Sequence, residues 1–221
     1  VERWATFDCY GTLVDWNAGI GRELGRLFGA ERCAALLRRY HELEPVVQEA
    51  DPRLPYRDVL ARTLERLASE EGLALPGHER DTLARSLPHW PVFDDVRPAL
   101  LEARDRGWRL AVLSNTDRDL LDASLEAIGV PFDLSVVAGE IGSYKPAPRH
   151  FEEFRRLTGT DGVAHVHVAQ SLFHDVAPAT ALGIPTVWIN RLGEPVDPRP
   201  ARILPTLTGL ADVLDELVPT R

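Results

Sequence analysis

From Pro91 onward the chain alternates between short apolar runs and amphipathic stretches, and this alternation restricts its fold more than any other feature. Leu110–Leu113, Leu134–Val137, Val163–Val168 and Pro185–Ile189 read as strands, while helical spacing covers Asp117–Ile128, Arg149–Leu157, Val176–Leu182 and Thr206–Leu217. Strands separated by helices predict parallel pairing, because each helix must carry the chain back before the next strand begins. The expected class is therefore α/β with a doubly wound parallel sheet. Arg3–Tyr10 is β-branched and aromatic and runs into Gly11-Thr12, so it joins the same sheet. Residues 16–91 break the pattern. Leu24, Leu27 and Phe28, then Leu36, Leu37, Tyr40 and Leu43, then Val59, Leu60, Leu64 and Leu67 recur at helical spacing, with Gly72 and Pro76-Gly77 as punctuation. This block predicts a helical bundle inserted after the first strand, leaving residues 1–15 and 92–221 to build the sheet. The Pro-rich stretch Pro195–Pro205 reads as a surface connection.

Composition limits the partners. With 44% hydrophobic and 27% charged residues, 221 residues can bury a core without a disulfide or metal staple. A net charge of −9 argues against nucleic acid or an anionic membrane as partner. No apolar run approaches the roughly 18 residues of a membrane span. Val1-Glu2-Arg3-Trp4 does not read as a signal peptide, and Cys9 and Cys33 form no disulfide framework, so a cytoplasmic location is expected. Cys9 alternates with Asp8 along the strand and is expected to be buried and inert.

In a doubly wound sheet, ligands bind at the carboxyl ends of the strands. Those ends carry Asp8, Ser114-Asn115, Tyr144-Lys145-Pro146, and Gln170-Ser171 through His174-Asp175. Lys145 is the single lysine among 25 basic residues, kept where a compact point charge suits a small site. A carboxylate such as Asp8 can act there as nucleophile, base or metal ligand, and a neighbouring ammonium would keep it ionised. Ser114 and Asn115 offer hydrogen-bond donors for an anion. His165 and His167 alternate within a strand and read as packing residues.

These segments resemble the four motifs of the haloacid dehalogenase superfamily. Phe7-Asp8-Cys9-Tyr10-Gly11-Thr12-Leu13-Val14-Asp15 looks like the first, Leu113-Ser114-Asn115 the second, Ser143-Tyr144-Lys145-Pro146 the third and the region around Asp175 the fourth. The L-2-haloacid dehalogenase subgroup shares the Tyr10-Gly11-Thr12-Leu13 run and the Trp188-Ile189-Asn190-Arg191 tail. The resemblance implies a Rossmann-like core, a helical cap in residues 16–91, and an active site between the two. Asp8, Lys145 and Asp175 would then be catalytic. Tyr10, Thr12, Ser114 and Asn115 would meet the substrate, with Arg38 or Arg39 holding halide and Ser171 and His174 in support.

Phosphatases of the superfamily place a second Asp two positions after the nucleophile, to protonate the leaving alcohol and help hold Mg²⁺. Here that position is Tyr10, a weak acid at neutral pH. Halide leaves without a proton. The resemblance therefore implies hydrolysis of short 2-haloalkanoic acids to 2-hydroxy acids through an aspartyl ester, with a small anionic substrate, no metal or other cofactor, and a homodimer as in many relatives. The alternatives are a Mg²⁺-dependent small-molecule phosphatase and a non-catalytic binding protein. The fourth motif departs from the dehalogenase pattern at Gln170-Ser171-Leu172, and Phe151 stands where those enzymes carry tyrosine.

Overall fold

The computed structural model describes residues 2–160, 164–195 and 200–219. At its centre, β1 (Arg3–Phe7) lies between β2 (Trp108–Ser114) and β4 (His165–Ala169), with β3 (Leu134–Val137) beyond β2. On the other side follow β5 (Thr186–Ile189) and β6 (Arg202–Leu204), giving the order β3-β2-β1-β4-β5-β6 with parallel pairing throughout. The doubly wound sheet anticipated from the sequence is thus present. Every residue of β1 and β4 is buried, which is why these strands read as nearly continuous apolar runs.

Two expectations need correction. Within Pro195–Pro205, Arg202–Leu204 pairs with β5 as an edge strand, closed by Asn190 N donating to Leu204 O at 2.8 Å. Three residues, two of them exposed, carry too little apolar pattern to announce a strand. The first strand also stops at Phe7, because the chain curls away at Asp8. Val163 and residues 196–199, parts of two anticipated segments, lie outside the described residues.

Between β1 and the next core helix the chain forms α1 (Trp16–Phe28), α2 (Cys33–Ala50), α3 (Tyr56–Glu70) and the short α4 (Thr82–Ser86). It enters and leaves this block side by side, with Asp15 N on Pro91 O at 2.7 Å and Phe93 N on Leu13 O at 3.1 Å. Asp15 also caps α1 through Ala18 N. Gly19 lets α1 close on Trp90, since a Cβ there would lie 2.3 Å from the indole. The remaining helices cover the sheet. Ala5 and Phe7 share one core with α5 (Val96–Asp105), α6 (Arg118–Ile128) and the start of α7 (Ala138–Ile141), and Trp4 shares the other with α8 (Arg149–Thr158) and α9 (Ala177–Ala181). The C-terminal α10 (Leu210–Leu217) packs on α5. Among the described residues, no helix is long and apolar enough to cross a membrane.

Two polar contacts organise the helical block. Asp117, ahead of α6, accepts from Tyr56 N and Arg57 N at 3.0 Å each, capping α3 from across the molecule where Pro55 supplies no side-chain cap. Between α2 and α3, Glu44 is buried and accepts from the Tyr56 hydroxyl at 2.8 Å. Burial pushes its carboxyl up to about 7 from the usual value near 4.5, against the hydrogen bonds of Tyr56 and Gln48.

Asp117→Ala should leave two α3 amides without partners and lower stability by about 1–2 kcal/mol, read from urea unfolding midpoints. Glu44 generates a second expectation. Below its unfolded value both states hold the proton. As pH rises past that value the unfolded chain ionises first, so stability falls until the folded carboxyl also ionises. Glu44→Gln should therefore be more stable than wild type at pH 8, by on the order of 3 kcal/mol, with the gain gone near pH 4. Equal midpoints at pH 8 would contradict this.

Candidate active site

β1 delivers Asp8 to the carboxyl edge of the sheet, and a tight turn follows in which Leu13 N and Val14 N both donate to Cys9 O. Gly11 sits in this turn at φ +94°, and a Cβ would press on Gln170 Oε1 at 3.1 Å. The segment before α8 brings in Lys145, and a single wide turn at Leu172–Val176 brings in Asp175. The Lys145 ammonium donates to Asp8 Oδ1 at 2.9 Å, Asp175 Oδ1 at 2.6 Å and Leu113 O at 2.8 Å, which uses all three of its protons. The second oxygen of Asp8 accepts from Thr12 Oγ1 at 2.9 Å, and that hydroxyl accepts from Gln170 N at 2.9 Å. Arg191 in turn holds the Thr12 carbonyl at 2.9 Å.

These charges are buried together. For Lys145, burial favours loss of the proton, but Asp175 and Asp8 outweigh it and the ammonium is held above its usual value. Burial raises the Asp8 carboxyl, and the Asp175 charge adds to that. Burial also acts upward on Asp175, yet Lys145 and His167 prevail and hold it well below the usual carboxylate range. Asp175 Oδ2 has no protein partner.

His165 and His167 are buried against Phe154 and Phe151, as the packing reading expects, and they also form a polar chain behind Asp175. His167 Nε2 lies 2.9 Å from Asp175 Oδ1, its Nδ1 2.8 Å from Thr6 Oγ1, and that hydroxyl 2.7 Å from His165 Nε2. The Asp175 carboxylate can only accept, so His167 Nε2 donates to it. Phe151 sets its edge against the His167 ring at 4.9 Å and adds no hydroxyl to the site. Cys9 is buried, and burial pushes its thiol well up, so it is not a nucleophile at neutral pH.

Above Asp8 lies a cavity of about 390 Å³ between the carboxyl edge of the sheet and helices α1 to α3. Asp8, Tyr10, Ser114, Asn115, Lys145, Ser171, His174 and Asp175 all line it, as anticipated. Ser114 Oγ is buried without a protein partner, whereas both ends of the Asn115 carboxamide are taken by the Lys145 backbone at 2.6 and 3.0 Å. Asn115 thus braces the Lys145 backbone while lining the cavity, and Thr12 orients Asp8 from behind. Ser171 Oγ pairs with the His174 imidazole, which burial holds below its usual value and hence neutral.

The expected halide arginines are not there. Arg38, one helical turn ahead of His41, stays in solvent, and Arg39 pairs with Glu42 and Glu70 at 2.5 and 2.6 Å on the outer side of the helices. The α2 residues that do reach the cavity are His41, Glu44, Pro45 and Gln48, joined by Trp16, Asn17 and Tyr56. Their trace in the sequence is a helical stripe with polar residues at positions where apolar ones would suffice.

The donor set does not suit Mg²⁺. Both Asp8 oxygens are engaged by Lys145 and Thr12, an ammonium stands between the two carboxylates, and Tyr10 supplies a phenol instead of a carboxylate. Among the described residues no three His, Cys, Asp or Glu side chains cluster as a metal site.

The haloacid dehalogenase-like hydrolase family model matches residues 3–183. An (S)-2-haloacid dehalogenase from Pseudomonas sp. (strain YL) is 30% identical over 191 residues, 85% of this chain and 82% of that protein. A phosphoserine phosphatase from Thermus thermophilus is 31% identical over 149 residues, 65% of this chain and 58% of that protein. Among solved structures, an L-2-haloacid dehalogenase aligns with a TM-score of 0.86 and 26% identity, covering 97% of this chain and 99% of its own. Sequence, sheet order and the Asp8–Lys145–Asp175 constellation agree: the chain belongs to the haloacid dehalogenase-like hydrolase family.

Proposed function

We propose that the protein hydrolyses the carbon–halogen bond of short 2-haloalkanoic acids through an ester on Asp8, without a metal ion. The observation that carries this reading is Tyr10. Burial pushes its phenol well above the usual value, and its hydroxyl pairs with Ser124 at 3.1 Å, beside the Leu120 carbonyl. A residue so placed is a poor acid for an alcohol leaving group, while a halide departs as the anion with its bonding pair.

In the first step an Asp8 oxygen attacks C2, the C–O bond forms and the carbon–halogen bond breaks with inversion. Lys145 keeps the attacking carboxylate ionised, and Thr12 fixes its orientation. Burial strips Asp8 of water, which favours attack. Ser114 Oγ offers a donor to the substrate carboxylate. With no arginine at hand, the departing halide meets the positive ring edges of Tyr10, Trp16 and Tyr56. In the second step water attacks the Asp8 Cγ, the acyl C–O bond breaks, and Asp8 returns as carboxylate. Asp175 Oδ2, free of protein partners, orients that water and accepts its proton, and the 2-hydroxy acid takes a proton as it leaves. His167 holds Asp175 in place from behind.

The test is halide release from 2-chloropropanoate in EDTA beside phosphate release from p-nitrophenyl phosphate with Mg²⁺. EDTA-resistant halide release that disappears in Asp8→Asn supports the reading; phosphate release alone, or silence in both, overturns it. Asp175→Asn should slow turnover by about 10²- to 10⁴-fold and let the ester accumulate, visible as added mass on the Asp8 peptide. Slowing without the adduct would place Asp175 before the ester.

A further inference from the structure

The cavity is poor in donors and rich in acceptors. Four carboxyl groups line it (Asp8, Glu44, Asp175 and Glu194), against one lysine whose protons are all spent on Asp8, Asp175 and Leu113 O. His41 contributes no charge, since burial lowers it to about 4. With Asn17 Oδ1 accepting from its Nε2 at 2.7 Å, its buried Nδ1 remains a bare acceptor. Gln170 Nε2 is turned toward Glu194 at the exposed mouth. Thus, among the described residues, no free cation lines the space, and α2 lines it with His41, whose Nδ1 has no partner, and Glu44.

Glu44 is the costly member of this wall. Its only side-chain partners are the Tyr56 hydroxyl and the Gln48 amide, and no cation offsets its burial. A carboxyl held against its own desolvation at a cavity wall points to a ligand group that repays it. The volume agrees. About 390 Å³ lies in the range of sites for ligands well beyond a two- or three-carbon acid, leaving room for a second functional end.

We propose that Glu44 determines substrate choice: beyond the reacting carbon, the cavity takes a chain bearing an amino or hydroxyl donor and turns away a second carboxylate. An ammonium at that end donates to Glu44 and, through a further proton, to His41 Nδ1. A carboxylate there meets two acceptors and a like charge. This rests on the dehalogenase reading for the identity of the reacting end, but the recognition of the remote end can be measured without turnover.

The experiment pairs binding with activity. Calorimetry at pH 8 would compare three halogen-free 2-hydroxy acids: 4-amino-2-hydroxybutanoate, 2-hydroxybutanoate and malate. A charge-assisted hydrogen bond predicts the amino acid analogue bound about 10- to 100-fold more tightly than 2-hydroxybutanoate, with malate weakest. In Glu44→Gln, folded as judged by its urea midpoint, the three affinities should converge. Halide release from 4-amino-2-chlorobutanoate, 2-chlorobutanoate and 2-chlorosuccinate should follow the same order in kcat/KM. Equal or reversed affinities in wild type, or an order unchanged in Glu44→Gln, would overturn the assignment of Glu44. If the binding order holds while none of the chloro acids releases halide, the dehalogenase reading falls and Glu44 keeps its role.

Discussion

A single buried ammonium holds the catalytic edge together. Lys145 lies in a region where an unpaired charge would lose its proton, and it stays charged because two carboxylates and a carbonyl surround it at 2.6 to 2.9 Å. The three partners come from β1, the end of β2 and the turn after β4, so the lysine also joins the loops that converge at the carboxyl edge. Removing any one of the three charges would strand the others in low dielectric, which makes the arrangement all-or-none. Asn115 fixes the Lys145 backbone from β2's end, and the Thr6–His167 chain fixes Asp175 from the sheet below. Lys145 and Asp175, which flank Asp8, are thereby held by groups outside the three-charge cluster itself.

The helical block has the opposite character. It encloses the cavity with an acceptor-rich set of side chains, and it places a buried carboxyl where a hydrocarbon would pack better. Its attachment combines paired backbone at Asp15–Pro91 and Leu13–Phe93 with contacts from across the molecule, Asp117 capping α3 and the Tyr144 hydroxyl donating to Leu54 O. The sheet edge supplies the Asp8–Lys145–Asp175 cluster, and the helices supply the opposite wall of the cavity.

Much of this was legible in the chain itself. The strand–helix alternation implied the parallel sheet because short buried strands and crossover helices leave no other economical arrangement. Asp8, Ser114, Lys145 and Asp175 were legible because strand ends in such a sheet are where ligands bind, and because a lone lysine among arginines stands out. Edge strand β6 was hidden by its brevity and exposed side chains. The bracing contacts of Asn115 and Thr12 were not legible: both residue types can serve a ligand or the protein itself, and only the folded chain shows the partners at 2.6 to 3.0 Å.

Periodicity placed α2 and its inward stripe, but not which turn of that stripe meets the cavity. Arg38 and Arg39 sit on the same helix as His41 and Glu44, yet solvent and Glu70 take the arginines while the cavity takes the other two. A helix specifies faces through local spacing; which part of a face is buried depends on where a distant element ends against it. The sequence by itself determined the parallel core of the sheet and which polar groups stand at its strand ends, because these follow from local pattern and residue chemistry. The tertiary structure alone decided the hydrogen-bond commitments of Lys145, the chain from His165 to Asp175 and the acceptor wall at Glu44, because each depends on long-range approach that no local spacing encodes.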